Sequence, residues 1–210
     1  LSLTAKDALP QEILPSSTPV DTWELLSASE QDLPSCELPV AVACRHELRD
    51  VVVAGYGTGG LFAALAAAEE GLSVAVVDPA PVPGGIGSAG RIHSYYHGLK
   101  GGMQDRLDEG ITGRGGTSGK VRGYHPVGRA EVMSRAMQNR SGLDVHAGHF
   151  VFGVVREDDR IVAVLTAAQD GYHVFPCHIA IDGTGDGDLA AAAGAPMTLG
   201  RDGDAFPQPY

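Results

Sequence analysis

Basic side chains are scarce in this sequence: 15 Lys and Arg stand against 26 Asp and Glu, a formal charge of −11 with histidine neutral. Counterion release from nucleic acid needs clustered Lys and Arg, so a binder that works through bulk charge is excluded. Cysteine is nearly absent. Cys36, Cys44 and Cys177 are an odd number without C-x-x-C spacing, which points to neither a disulfide framework nor a zinc motif and fits a reducing, cytoplasmic setting. Every long apolar stretch is broken by Gly, Glu or Pro before 18 residues, so no membrane-spanning helix is expected. Yet 43% of the 210 residues are hydrophobic, too many for wholesale disorder and enough for about one domain.

Glycine is in excess. The chain has 29, about 14% against roughly 7% in ordinary proteins, with neither collagen periodicity nor a Gly/Ser linker to absorb them. Some part of the fold therefore needs close backbone approach or positive φ.

Residues 1–49 hold eight acidic side chains, three basic ones and five prolines, and read as an irregular N-terminal arm with one short strand. From Asp50 the character changes. Val51 to Ala54 form a continuous apolar run that ends in glycines, as a strand buried on both faces does. A helix is expected from about Gly59 to Glu70, closed by Gly71, and a second buried strand from Ser73 to Val77. Together they make a βαβ unit of about 30 residues and predict a parallel sheet. Thirteen glycines between Gly84 and Gly123 leave only short helical pieces such as Met103–Glu109. A helix follows from about Arg129 to Asn139. Strands are then expected at Leu143–His146, Phe150–Arg156, Ile161–Thr166, Tyr172–Phe175 and His178–Ile181, the second and third joined by a polar turn. The fold class is α/β: a Rossmann-like parallel sheet with a small inserted antiparallel β layer, over residues 50–210.

Gly55, Gly57 and Gly60 form G-x-G-x-x-G directly after the first strand and at the mouth of the helix, with Asp78 at the end of the next strand. The first glycine permits the tight turn, the second lets the backbone touch a pyrophosphate, and the third lets helix pack on strand. The helix N-terminus offers unpaired N–H groups and a positive dipole end to the phosphates. Asp78 is suited to accept from ribose hydroxyls. These residues alone fit NAD as well as FAD. The antiparallel strands after Phe150 favour FAD, because an ordinary NAD dehydrogenase continues with alternating strands and helices.

Two later glycine runs, Gly84-Gly85-Ile86-Gly87-Ser88-Ala89-Gly90 and Ile181-Asp182-Gly183-Thr184-Gly185-Asp186-Gly187-Asp188-Leu189-Ala190, complete a pattern. With the first motif they resemble the FAD-dependent oxidoreductases of the glutathione-reductase-like, two-dinucleotide-binding superfamily, near the branch of the succinate dehydrogenase and fumarate reductase flavoproteins. The resemblance covers about residues 50–196. It implies that Gly55, Gly57, Thr58, Gly59 and Gly60 hold the pyrophosphate, and that Asp78 and Pro79 lie at the adenine ribose. It also implies that Gly84, Gly85, Ser88 and Gly90 run beside the ribityl chain and flavin, that Val151 lends its backbone to adenine, and that Thr184, Gly185 and Asp186 close over the cofactor. The family usually has Glu where this chain has Asp78, one methylene shorter.

Arg91, His93, Tyr95, Tyr96 and His97 follow at the place that, by resemblance, passes the isoalloxazine ring. Histidine suits proton removal from a substrate hydroxyl and tyrosine suits its orientation, so His93, Tyr95, Tyr96 and His97 are the catalytic candidates. His146, His149, His173 and His178 fall on strands and read as structural. Asp186 and Asp188 lack further ligands at calcium-loop spacing, so no metal is expected. The function expected is hydride transfer from a small organic substrate to FAD. A non-catalytic FAD-binding subunit and an NAD-binding Rossmann protein are the alternatives. The sequence begins at Leu1 and stops 22 residues after Asp188. The expectation is an N-terminal portion whose substrate domain and final return to the FAD fold lie on a second polypeptide; a trimmed fragment accounts for the same ends.

Overall fold

The computed structural model describes residues 42–92, 101–112, 126–198 and 200. Its strands are β1 (Val42–Arg45), β2 (Arg49–Ala54), β3 (Val74–Asp78), β4 (Leu143–Ala147), β5 (Phe150–Glu157), β6 (Arg160–Ala168) and β7 (Gly171–Asp182). Its helices are α1 (Thr58–Glu69), α2 (Gly102–Thr112), α3 (Pro126–Gln138) and α4 (Asp188–Ala192), with a single 3₁₀ turn at Gly85–Gly87. The chain divides into two units, Leu1–Val42 and Ala43–Tyr210; apart from Val42, every element named here belongs to the second. Among the described residues, no helix is long and apolar enough to cross a membrane.

Parallel pairing runs β4-β3-β2-β7, and the order continues antiparallel through β6 and β5, with β1 beside β7. Alternation along the valine runs divides the core in two. Val51, Val53, Val74 and Val76 pack with Leu61 and Leu65 of α1 and Met133 and Met137 of α3. Val52, Ala54, Ala75 and Val77 pack on the other face with Val164, Phe175, Cys177 and Leu189. A strand buried on both sides has no polar face to keep, which is why these runs are continuous rather than alternating.

The βαβ unit closes as its residues require. Gly71 adopts φ +83 after α1. Its N–H donates to the Ala68 carbonyl and the Leu72 N–H to the Ala67 carbonyl, the paired bonds that end a helix on a left-handed residue. α3 starts at Pro126, three residues before the expected start. Proline fits a first helical turn because the N–H it lacks has no partner there.

One expectation needs correction. The two strands expected on either side of Pro176 and Cys177 are a single strand of 12 residues, β7. Its first half, Gly171–Pro176, registers antiparallel against Ala168–Ala163 of β6. Its second half, Cys177–Asp182, registers parallel against Arg49–Ala54 of β2. Pro176 is the last residue opposite β6, so its missing N–H falls at the end of that ladder and does not break the strand.

Candidate FAD-binding site

β2 and β7 end side by side, with Ala54 opposite Asp182, and the glycines that follow them pack backbone on backbone. A Cβ added at Gly60 would lie 1.9 Å from the Gly55 carbonyl oxygen. One at Gly183 would lie 2.6 Å from Gly60 Cα, and one at Gly55 2.5 Å from the Gly183 carbonyl oxygen. No side chain fits at any of the three positions. The Gly183 N–H donates to the Ala54 carbonyl at 2.7 Å, and Gly55 N–H to Val77 at the same distance, so this node is also tied to the ends of β2 and β3.

Gly57 differs from its neighbours. A Cβ there would have only Gly85 Cα, at 3.9 Å, and the Gly183 carbonyl oxygen, at 4.0 Å, for company; one at Gly59 would meet nothing within 4 Å. Gly57 is the residue that caps α1, and no side chain caps the helix. The first turn contains no acidic residue. The N–H groups of Thr58, Gly59 and Gly60 therefore lack the intrahelical partners that later residues have, and Thr58 and Gly59 face solvent. An open, uncapped helix N-terminus floored by glycine has the donor set and clearance that a diphosphate needs.

The loop after β3 completes this mouth. Gly85, at φ +53, places its Cα against Gly57, and a Cβ on Gly85 would lie 3.0 Å from Gly57 Cα. A side chain at Gly90 would strike the Ile86 backbone at 2.6 Å, so the double-glycine loop folds back on itself. Ser88 is buried, and its hydroxyl donates to the Pro83 carbonyl rather than reaching outward. Arg91 is exposed, has φ +58 and donates its N–H to the Ser88 carbonyl.

Asp78 binds the first two landmarks together. One carboxylate oxygen accepts the Tyr56 N–H at 2.7 Å and the other accepts the Ala80 N–H at 2.7 Å. Pro79 lies exposed between these contacts. Each oxygen retains a second lone pair for a ribose hydroxyl, and the shorter Asp brings its carboxylate onto the glycine turn itself. Tyr56 was missed in the sequence because the motif leaves that position free. It is buried, its hydroxyl donates to the Ala80 carbonyl, and its N–H meets Asp78. Burial, reinforced by the Asp78 charge, pushes its phenol up to about 12, so it remains a neutral donor at physiological pH.

Asp182 organises the third landmark. Its Oδ1 accepts from the Thr184 N–H and hydroxyl at 2.9 and 2.6 Å, and its Oδ2 from the Ala190 N–H at 2.8 Å. The Thr184 hydroxyl oxygen in turn accepts the Asp188 N–H. Thr184 thus braces the loop before α4, while Gly185 and Asp186 are exposed at its tip. Val151 stands apart from the glycines, its side chain packed against the core cluster on the β2 face that holds Val52, Phe175 and Leu189. Two residues earlier, the His149 N–H donates to the Asp78 carbonyl. His93, Tyr95, Tyr96 and His97 lie outside the described residues.

The histidines expected to be scattered along strands are partly gathered. His46, His146, His149 and His173 surround Phe175, with His46 stacked on it at 3.9 Å between ring centroids. Only His178 of the four strand histidines named from sequence stands exposed, away from this group. Burial first, and neighbouring histidines second, lower the proton affinity of His46, His146 and His149, that of His146 to about 4.

Comparison with known proteins agrees with this geometry. The family model for FAD dependent oxidoreductases matches residues 50–210. No curated protein matches the chain. Among solved structures, THI4 from Thermovibrio ammonificans is similar with a TM-score of 0.54 at 20% identity, over 69% of this chain and 61% of that one. The anhydrotetracycline hydroxylase OxyS from Streptomyces rimosus is similar with a TM-score of 0.52 at 20% identity, over 70% of this chain and 34% of that one. At such identities the likeness is one of fold, and this chain spans less than two thirds of either protein. The family match extends over more than three quarters of the sequence: the chain belongs to the FAD dependent oxidoreductase family, and its cofactor is FAD.

Proposed function

We propose that this chain is the FAD-binding portion of an oxidoreductase that acts on a small organic substrate, and that a second polypeptide supplies the substrate domain. The open backbone at Gly57, set between the α1 N-terminus and Gly85, carries the reading. When bound there, FAD supplies the redox chemistry by accepting a hydride equivalent from a substrate C–H bond.

The chain's own residues position and exclude. N–H groups of Thr58, Gly59 and Gly60 face the pyrophosphate, and the α1 dipole adds a fixed positive field. Asp78 takes the adenosine ribose, with Pro79 beside it, while its bonds to Tyr56 and Ala80 hold the carboxylate in place. Gly84, Gly85, Ser88, Gly90 and Arg91 form the wall beside the ribityl chain. Thr184, Gly185 and Asp186 close the mouth, and Val151 lines the adenine end with backbone. His93 or His97 removes the proton from a substrate hydroxyl, with Tyr95 and Tyr96 orienting it.

Gly57→Val tests the site. Its nearest neighbours leave room for a Cβ, so the fold survives while the added methyl groups occupy the space of the phosphates. The expected result is a native far-ultraviolet circular dichroism spectrum with flavin absorbance reduced at least tenfold. Full flavin content in the folded variant sinks the proposal. The catalytic and two-chain elements are tested separately. Anaerobic bleaching of the flavin by substrate supports an enzyme, and an active, FAD-loaded preparation containing only this chain refutes the second polypeptide.

A further inference from the structure

The antiparallel layer holds a second cluster of chemically capable side chains, far in sequence from the glycine runs. Cys44 lies in β1, His46 follows it, and His173 lies in β7. One ligand atom from each, the Cys44 thiol sulfur and an imidazole nitrogen of either histidine, falls within 4.8 Å of the other two. His46 Nε2 and His173 Nδ1 are 3.0 Å apart. A hydrogen bond between the two rings accounts for that spacing but gives no role to the thiol that converges on them. The Cys44 thiol is free.

The surroundings orient this group. His173 Nε2 lies 2.9 Å from Asp170 Oδ1. A proton donated to that carboxylate leaves Nδ1 as a lone pair directed at the cluster, the arrangement in which a carboxylate sets the tautomer of a metal-binding histidine. His173 is buried, and Cys44 and His46 are half-buried. The His46 ring lies flat on Phe175, with 8° between the planes. The edge of His149 packs on His173 at 4.6 Å between centroids, and His149 is itself held by Thr166 at 2.9 Å. Little ordering remains to be done when a ligand arrives.

We propose that Cys44, His46 and His173 form a binding site for Zn²⁺, with Asp170 as the positioning carboxylate behind His173. One thiolate and two imidazoles make a donor set that zinc accepts readily, and half-burial on the β1 side leaves the fourth position to water. A tetrahedral ion with Zn–N of about 2.0 Å and Zn–S of about 2.3 Å places its ligand atoms about 3.3 to 3.6 Å apart. The rings must therefore separate by a few tenths of an ångström and the thiol approach by about 1 Å, movements within reach of side-chain torsions. Binding joins β1 to β7 and leaves the glycine node untouched, so this inference does not depend on the proposed chemistry at the flavin.

The test uses the FAD-loaded full chain, stripped with a chelator and titrated with Zn²⁺ in competition with a chromophoric chelator. Co²⁺ serves as the spectroscopic probe. One Zn²⁺ per chain is expected, and Co²⁺ should give the intense visible bands of a four-coordinate ion together with thiolate-to-cobalt charge transfer. Cys44→Ser should abolish the charge-transfer band. His173→Ala and Asp170→Asn should each weaken Zn²⁺ at least about tenfold, and His178→Ala should leave it unchanged. Flavin content should be the same in all. Substoichiometric Zn²⁺ at micromolar concentration overturns the site, as does a band that survives Cys44→Ser but is lost in Cys36→Ser or Cys177→Ser. Absence of thiolate charge transfer in the parent protein overturns it without recourse to any variant.

Discussion

β7 is held in two different ways along its length. At its carboxyl end the chain passes into Gly183, which packs main chain on main chain against Gly55 and Gly60. In its amino half, Val174 and Phe175 point to opposite faces, and Phe175 gathers four imidazoles: His173 of the same strand, His146 of β4, and His46 and His149 from the segments after β1 and β4. Backbone packing at van der Waals distance admits one residue type, whereas a side-chain cluster admits many combinations of similar volume and polarity. The two ends should therefore fail differently when altered.

The largest effect is expected at Gly60. A methyl group there lies 1.9 Å from a carbonyl oxygen that belongs to the turn itself, and neither group can move without parting β2 from α1. Gly60→Ala should cost about 3 to 5 kcal/mol of stability, at the far end of the range for single substitutions. It should also lose FAD, read by urea denaturation and flavin absorbance. Gly59→Ala, one residue earlier and with open space around it, should stabilise the helix by about 0.5 to 1 kcal/mol. Equal behaviour of the two variants would remove the special status given to backbone contact at this end.

The imidazole end should respond more mildly. Thr166 is fully buried, and its hydroxyl lies 2.9 Å from His149 Nδ1. Thr166→Val keeps the shape and strands one ring nitrogen, a loss of about 2 kcal/mol, with flavin content unchanged. A further substitution returns to the glycine end through a side chain: Asp182→Asn removes the charge from the acceptor that braces Thr184 and Ala190. These bonds are solvent-exposed, so about 1 kcal/mol is expected, accompanied by weaker FAD retention measured by dialysis. Flavin loss in Thr166→Val, or its absence in Asp182→Asn, would erase the division between the ends.

That same division explains what could be read from the residues alone. Val51–Ala54, Gly71 and the three glycine runs each carry a local constraint: burial on two faces, a left-handed cap, or a contact without space for Cβ. They were legible for that reason, as were the parallel βαβ unit and the antiparallel layer. Pro176 and Cys177 fall between the two strands expected at Tyr172–Phe175 and His178–Ile181, and no local signal says that one strand runs through them and changes partners there. Tyr56 occupies a position the glycine motif leaves open, and its role depends on Asp78 and Ala80. Asp182 stood in the third run, but its three acceptor bonds emerge only when the loop folds back toward α4. The convergence of Cys44, His46 and His173 requires β1 to lie beside β7, a non-local pairing that spacing along the chain does not encode.

The smallest expected effect lies between the two ends, where β7 changes partners and Cys177 registers with Arg49. The next residue, Asp50, clamps the start of β2 to the start of β3. Its Oδ2 accepts the Ser73 N–H at 2.8 Å and the Ser73 hydroxyl at 2.6 Å, while its own N–H donates to that hydroxyl. The Ser73 hydroxyl, with its backbone N–H second, holds the Asp50 carboxyl below its ordinary 3.8 against an opposing effect of burial, and nearby His178 adds a lesser lowering. A carboxyl with a lowered folded pKa contributes stability that is complete above 3.8 and is lost as pH falls through the folded value. Ser73→Ala removes the leading cause and retains the N–H contact, so the Asp50 carboxyl should titrate closer to 3.8 in a carbon-detected NMR series. The melting temperatures of parent and variant should differ by a constant amount above about pH 5 and converge as Asp50 protonates in both. A difference that stays constant through the acid range would mean that Ser73 acts through packing alone. The clamp between β2 and β3 would then owe nothing to the charge at Asp50.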